Sequence, residues 1–241
     1  MKRDRVVREE PLNILVNGKP YAVLMRTPGD EENLVLGFLY SEGVVNHLEE
    51  IDFVRYCSKG KGKNTVVVEL KGRNRHSREG GKPCVVPVPD FSRINSGGAQ
   101  SVPLSGTGAF FLKNLINLDK KIAKKQKVFK LTGGTHAAGL FDKNGRLILL
   151  KEDISRHNAL DKVIGYVFSK RINCQDKVIF LSGRTSYEMI LKVIRLGAPV
   201  VASISGTTSL AIDLSKKFNL TLIGFLRGET MTVYSHPGRI K

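Results

Sequence analysis

The sequence predicts an α/β protein in two parts: a small mixed α+β unit over residues 1–108, then an α/β unit over residues 109–241. Three observations carry this. After residue 136, apolar runs of strand length alternate with amphipathic segments of helix length, which implies a largely parallel sheet with helices on its faces. Between Gly72 and Gly108 the pattern dissolves into a basic, Gly- and Pro-rich stretch with no periodicity, too long for an ordinary connection. Finally, 241 residues with 41% hydrophobic content suffice for one or two real cores.

The elements follow in order. "LNILVNGKPYAVLM" reads as a hairpin turning at Asn17-Gly18, because both residues accept positive φ. "GDEENLVLGFLYSEG" reads as a helix with Asp30 as N-cap, Leu34, Leu36, Phe38 and Leu39 on its apolar side and Gly43 at its end. "TVVVELK" is a strand. Beyond the irregular stretch, a helix is expected from about Phe110 to Lys127, burying Phe111, Leu112, Leu115, Ile116 and Ile122. "AAGLFDKNGRLILL" is a second hairpin. Asn158 is the expected cap of a helix carrying Ala159, Leu160, Val163, Ile164, Val167 and Phe168 inward. The strand "KVIFLSG", a helix from about Ser186 to Leu196 closed by Gly197, the strand "VVASIS", the helix "SLAIDLSKKF" and the strand "LTLIGFL" complete the alternation.

The formal charge of +17 favours anionic partners. Aromatics are few and Trp is absent, so a stacking platform for single-stranded nucleic acid is weakly supported. Cys57, Cys84 and Cys174 are widely spaced with no Cys-x-x-Cys, which argues against a disulfide framework and a zinc ribbon. No run approaches the roughly 20 apolar residues of a membrane span. The N-terminus lacks the apolar core of a secretory signal, and a cytoplasmic location is the expectation.

Ligands of open parallel sheets bind at the carboxyl ends of the strands. Four polar segments fall there: Glu152–Asn158, Ser182–Ser186, Ser205–Ser209 and Arg227–Thr230. "SGRTS" and "SGTTS" share Ser-Gly-x-Thr-Ser and each opens a helix, where hydroxyls, free N–H groups and the helix dipole hold anions. Ser182, Gly183, Arg184, Ser186, Thr208 and Ser209 are candidates, with Arg184 a bidentate donor. In the first segment Glu152, Asp153, Arg156 and His157 face two readings: carboxylates and arginine holding the loop by ion pairs, or carboxylates accepting from a guanine. His157 and Asp161 stand at i, i+4 on the expected polar helix face. "LTGGTHAAGL" adds Gly133 and His136. His136 is followed by two alanines, so the His-x-Glu and Cys-x-x-Cys of zinc deaminases are missing, as are Walker and GxGxxG loops.

Taken together, "EEPLNILVNG", "MRTPGDEENLVLGFLYSEG", "TGGTHAAGL", "EDISRHNALDK", "SGRTSYEM", "GTTSLAIDL" and "TLIGFLRGETMTVYSHPGRI" resemble the formate dehydrogenase accessory sulfurtransferases, in family order and across nearly the whole chain. The resemblance implies a three-layer α/β/α cytidine deaminase-like C-terminal domain without zinc. It implies a cytoplasmic homodimer that binds the molybdenum bis-pyranopterin guanine dinucleotide cofactor, for which GDP is a mimic. Persulfide sulfur would come from a cysteine desulfurase and pass to the cofactor destined for formate dehydrogenase. Carried over by motif, Phe225, Leu226, Arg227, Gly228, Glu229 and Thr230 form a cofactor-binding segment.

The family's sulfur-carrying loop cysteines align with "NSGGAQS", where Ser96 and Ala99, or in the other alignment Gly98, occupy their positions. None is a thiol. Cys84 lies upstream in the same irregular stretch, two residues from Lys82, whose charge favours a thiolate, and is the candidate replacement. Two alternatives stand beside a working sulfurtransferase: a cofactor-binding chaperone without that activity, and a basic nucleotide- or RNA-binding protein.

Overall fold

The structure, a computed structural model, describes residues 4–72 and 108–241; Cys84, Ser96, Gly98 and Ala99 lie outside the described residues. The first part holds β1 (Glu10–Val16), β2 (Lys19–Arg26), α1 (Glu31–Ser41), β3 (Ile51–Cys57) and β4 (Thr65–Leu70). Its sheet has the order β2-β1-β4-β3, with β1 and β4 parallel and the outer pairs antiparallel. Asn17 and Gly18 turn the first hairpin at φ 51° and 70°, the conformation their side chains permit. Strand β3, which the sequence reading missed, buries little beyond Ile51; its charged residues broke the expected alternation.

The second part holds α2 (Leu112–Leu115), α3 (Leu118–Lys125), α4 (Lys127–Thr132), β5 (His136–Asp142), β6 (Leu147–Asp153), α5 (Arg156–Ser169), β7 (Lys177–Leu181), α6 (Tyr187–Leu196), β8 (Val200–Ser203), α7 (Ser209–Lys217), β9 (Thr221–Arg227) and β10 (Thr230–Val233). The six-stranded sheet runs β10-β9-β8-β7-β5-β6. It is more mixed than expected. β7, β8 and β9 are parallel, but β5 lies antiparallel between β6 and β7, and β10 closes the other edge antiparallel to β9. The "DKNG" hairpin forces that reversal: Gly145 turns at φ 71°, so β5 and β6 must oppose each other.

Apolar layers cover both faces of this sheet. Leu160, Val163, Ile164, Ile190, Val193 and Leu214 of α5, α6 and α7 pack one face, and Phe110, Leu115, Leu118 and Ile122 pack the other. The single helix expected from Phe110 to Lys127 is broken into α2 and α3, with α4 starting only at Lys127. Asn117 adopts the left-handed conformation at φ 62°, and its N–H turns to the Gly228 carbonyl at 2.8 Å, which ends α2 and restarts the chain as α3. Phe111 and Leu112 are consequently exposed, while Leu115 and Ile122 are buried as expected.

The small sheet closes its core with α1, whose opposite side crosses α5. The crossing is made by glycines. A Cβ on Gly37 would stand 1.9 Å from the Asp161 carbonyl oxygen, and one on Gly165 1.8 Å from that of Asn33. Only hydrogen at both positions lets the backbones meet.

Candidate functional site

β5 runs against both β6 and β7, so β6, β7, β8 and β9 all point the same way and deliver their carboxyl ends to one edge. The four polar segments singled out above therefore share that edge. What each side chain does there differs.

Much of "EDISRHNALDK" is structural. The Glu152 carboxylate accepts from the backbone N–H of Lys127, Val128 and Phe129 at 2.7–3.0 Å and so caps α4. Asp153 is fully buried, ion-paired with buried Lys162 at 2.7 Å, and accepts from Thr27 N–H, Ser155 N–H and the Asn158 amide. Lys162 also donates to the Thr27 carbonyl, and Asn158 to that of Met25. Ser155, rather than Asn158, occupies the cap position of α5, because the Asn158 amide is spent on this tie to residues 25–27. Asp161 is also buried instead of solvated: Lys192 donates to both its oxygens at 2.8 and 3.0 Å, and Ser41 adds a third bond.

Arg156 and His157 remain on the outer side. His157 Nε2 lies 3.0 Å from Glu188, on the first turn of α6. Arg156 approaches Gly183 from one side and His136 from the other: a Cβ at 183 would meet His136 Nδ1 at 3.2 Å and Arg156 Cδ at 3.3 Å. Glycine there admits an imidazole and the aliphatic stem of Arg156 to the same spot. Burial, then the Arg156 charge, pushes the titration of His136 below the usual range for an imidazole. The same two causes lower His157, with Glu188 opposing.

The paired motifs meet directly. "SGRTS" and "SGTTS" lie side by side through a parallel bridge between Thr185 and Thr207. Thr185 N–H donates to the Gly206 carbonyl at 3.1 Å, and Thr208 N–H and the Thr207 hydroxyl donate to the Thr185 carbonyl at 3.2 and 3.0 Å. Most other hydroxyls stitch the same seam. Ser203 donates to the Gly183 carbonyl, Ser205 to that of Ser182, and the Ser182 hydroxyl accepts from Ala137 N–H. The sequence reading missed Thr185, Thr207 and Gly206 as a unit, although the repeated pentapeptide was the signal for it.

The two helix starts differ in one respect. Thr208 caps α7 by accepting from Ala211 N–H, which leaves Ser209 exposed beside it, whereas Ser186 makes no capping bond to α6. Among the described residues, the Ser186 hydroxyl, the hydroxyl of wholly buried Thr185 and the Arg156 Nε are buried without a hydrogen-bond partner. Arg184 is exposed next to them. Such buried donors are costly unless a ligand satisfies them.

The C-terminal segment supplies the other lip. Phe225 has φ 51°, a strained conformation for a bulky side chain, and is 45% exposed with its ring against Gly206. Leu226 is a core residue. Arg227 donates to the Ile204 carbonyl, Gly228 N–H to Asp119, and the Thr230 hydroxyl to the Arg227 carbonyl; Glu229 is exposed. Gly133 ends α4 at φ 65° and leads through Gly134, which Val7 covers, to His136.

Of the described cysteines, Cys174 is buried in the helix-side core with its thiol pushed up to about 12, mainly by burial, and Cys57 is half-buried at the end of β3. Among the described residues no group of three or more His, Cys, Asp or Glu side chains can hold a metal ion, and no helix is long and apolar enough to cross a membrane.

Comparison with known proteins gives a consistent picture. The profile of the FdhD/NarQ family matches residues 7–241. A protein named sulfur carrier protein FdhD from Nocardia farcinica is 38% identical over 251 residues, covering 100% of this chain and 89% of its own length. One of the same name from Sulfurisphaera tokodaii is 37% identical over 253 residues, covering 98% and 92%. A crystal structure of a formate dehydrogenase accessory protein from Desulfotalea psychrophila superimposes with a TM-score of 0.78 at 25% identity, covering 99% of this chain and 91% of that one.

Proposed function

The chain belongs to the FdhD/NarQ family, and from that membership we propose that it is a sulfur carrier in the maturation of formate dehydrogenase. Its client is the molybdenum bis-pyranopterin guanine dinucleotide cofactor, held at the strand-end edge. Sulfur arrives from a cysteine desulfurase, and the protein works in the cytoplasm as a homodimer. The arrangement of helices on both faces of the large sheet is compatible with a cytidine deaminase-like domain.

One observation carries the placement of the client. The start of α6 is uncapped, and the buried hydroxyls of Thr185 and Ser186 and the Arg156 Nε have no partner among the described residues. Anionic phosphate fits these donors, the adjoining Arg184 and the dipole of α6. Gly183 lets His136 and Arg156 close in beside these donors, and the exposed ring of Phe225, packed on Gly206, offers an apolar surface next to them. Calorimetry with GDP tests this. Wild-type protein is expected to bind, and Arg184→Ala to lose roughly 1–3 kcal/mol, as for a charge-assisted hydrogen bond. Equal affinity in the two proteins would remove the site from this edge.

A second reading, a cofactor chaperone without sulfur transfer, is favoured by Ser96, Gly98 and Ala99 at the family's cysteine positions. Cys174 does not supply the missing nucleophile, since its thiol stays protonated at neutral pH. The readings part at Cys84. Mass spectrometry after incubation with a desulfurase and cysteine separates them: an added sulfur lost in Cys84→Ala marks a carrier, and none marks a chaperone.

A further inference from the structure

The proposed anion site contains an imidazole with no assigned task, and its role is inferred on the premise of that site. His136 opens β5, and its ring reaches the Gly183 backbone that leads into α6. No hydrogen bond to the ring comes from the described residues, and the ring is half-buried. The ionisable groups on the elements around it act on it unequally. From α5 comes Arg156, the charge that acts on it. From β6 comes its cross-strand partner Asp153, already neutralised by Lys162. Glu152, the next residue back, is turned onto the N-terminus of α4. Beyond Gly183 stands exposed Arg184. His157, which the Arg156 charge also acts on, has its Nε2 3.0 Å from Glu188.

We propose that His136 is the proton-accepting residue of this site: when a phosphate or pyrophosphate group settles beside Arg156 and the start of α6, the imidazole takes one proton from solvent and donates an N–H to the anion. The balance is simple. Neutral imidazole plus a solvent proton gives imidazolium, and no covalent bond to the ligand forms or breaks. In the ligand-free protein partial burial and repulsion from Arg156 oppose a second cation, which is why the ring titrates below its ordinary range. A bound anion reverses both terms. Bound protein then holds more protons than free protein, so affinity rises as pH falls. A full proton of uptake makes the binding constant change about tenfold per pH unit within the window between the free and bound titrations. The site grips its anionic client more tightly in a more acidic setting and releases it as the ring loses its proton.

The test is calorimetry with GDP at pH 7 in two buffers of different ionisation heat, which yields the number of protons exchanged on binding. Wild type should take up protons, and His136→Asn should lose that uptake while still binding GDP more weakly. His236→Asn, whose ring lies against the Lys216 carbonyl, serves as the control and should match wild type. Titration of the GDP phosphates is common to all three proteins and cancels in the comparison. Equal proton uptake in wild type and His136→Asn overturns the proposal and leaves the anion site standing. Failure of wild type to bind GDP overturns both. NMR of the His136 ring in unsubstituted protein gives the same answer should the variant fail to fold: its titration must move upward on saturation with GDP, and an unmoved titration overturns the assignment.

Discussion

Asp153 ends β6 at the edge where a ligand is expected, yet it has no capacity left for one. Lys162, Thr27, Ser155 and Asn158 occupy its oxygens. Removing its charge leaves Lys162 buried without compensation, and this sets the size of the effect. Asp153→Asn is expected to destabilise the protein by about 3–5 kcal/mol, the usual result of breaking one side of a buried pair; urea unfolding measures it. The same residues show what the sequence could convey. The stretch from Glu152 to Lys162 was legible as chemically dense, but density does not distinguish a strut from a ligand contact. The partners that decide it, Met25, Thr27, Ser41 and Lys192, lie far off in the chain. His136 and Gly183 were both candidates in the sequence; their convergence on one point depends on the register of β5 against β7.

Elements were more legible than contacts. The alternation of strands and helices after residue 136 follows from apolar periodicity, and each helix from α5 to α7 falls where the pattern puts it. The failures have tertiary causes. Asn117 breaks the expected long helix because Gly228 offers its N–H a better partner. β10 escaped notice because it is a four-residue edge strand with only Met231 and Val233 half-buried against the core. The crossing of α1 and α5 was equally hidden, since each helix shows a single glycine and only the pair has meaning. Gly165→Ala tests that crossing. Intrinsic propensity favours alanine in a helix by about 0.8–1 kcal/mol. The added Cβ, however, would sit 1.8 Å from the Asn33 carbonyl oxygen, so the helices must part. A net loss of roughly 1–3 kcal/mol or more is expected from such overpacking, read as a lower denaturant midpoint. A stabilised variant would show that the backbones do not meet.

At the scale of the whole molecule, the +17 charge was plain in the sequence, but its distribution around the site was not. Two groups there make stability depend on pH. His136 and His157 both titrate below 6.5 in the folded chain, and near that value once unfolded. Below pH 6.5 the unfolded chain therefore binds more protons, and stability rises with pH. Their contribution is complete above that pH and is lost as the solution is acidified through the folded-state values. Glu42, raised chiefly by burial, acts with the opposite sign at lower pH. Thermal unfolding at pH 7.5 and 5.5 should show a lower midpoint in acid, with a smaller drop in a His136→Asn, His157→Asn double variant; parallel drops would place the acid sensitivity elsewhere.

The glycine crossing also has a consequence in time. Ser41 and Asp161, which bond across it, are 120 residues apart. A ribosome adding about 5–20 residues per second needs on the order of ten seconds to make the chain between them. Helix α1 can close the core of the small sheet soon after it emerges, because Leu12, Ile14, Val66 and Val68 are already at hand by the end of β4. Its Gly37 side has no partner until α5 is synthesised. During each round of synthesis the nascent chain thus carries a finished sheet with one bare helical flank, and the strand-end edge, tied to Thr27 and Met25 through α5, is assembled only when that flank is covered.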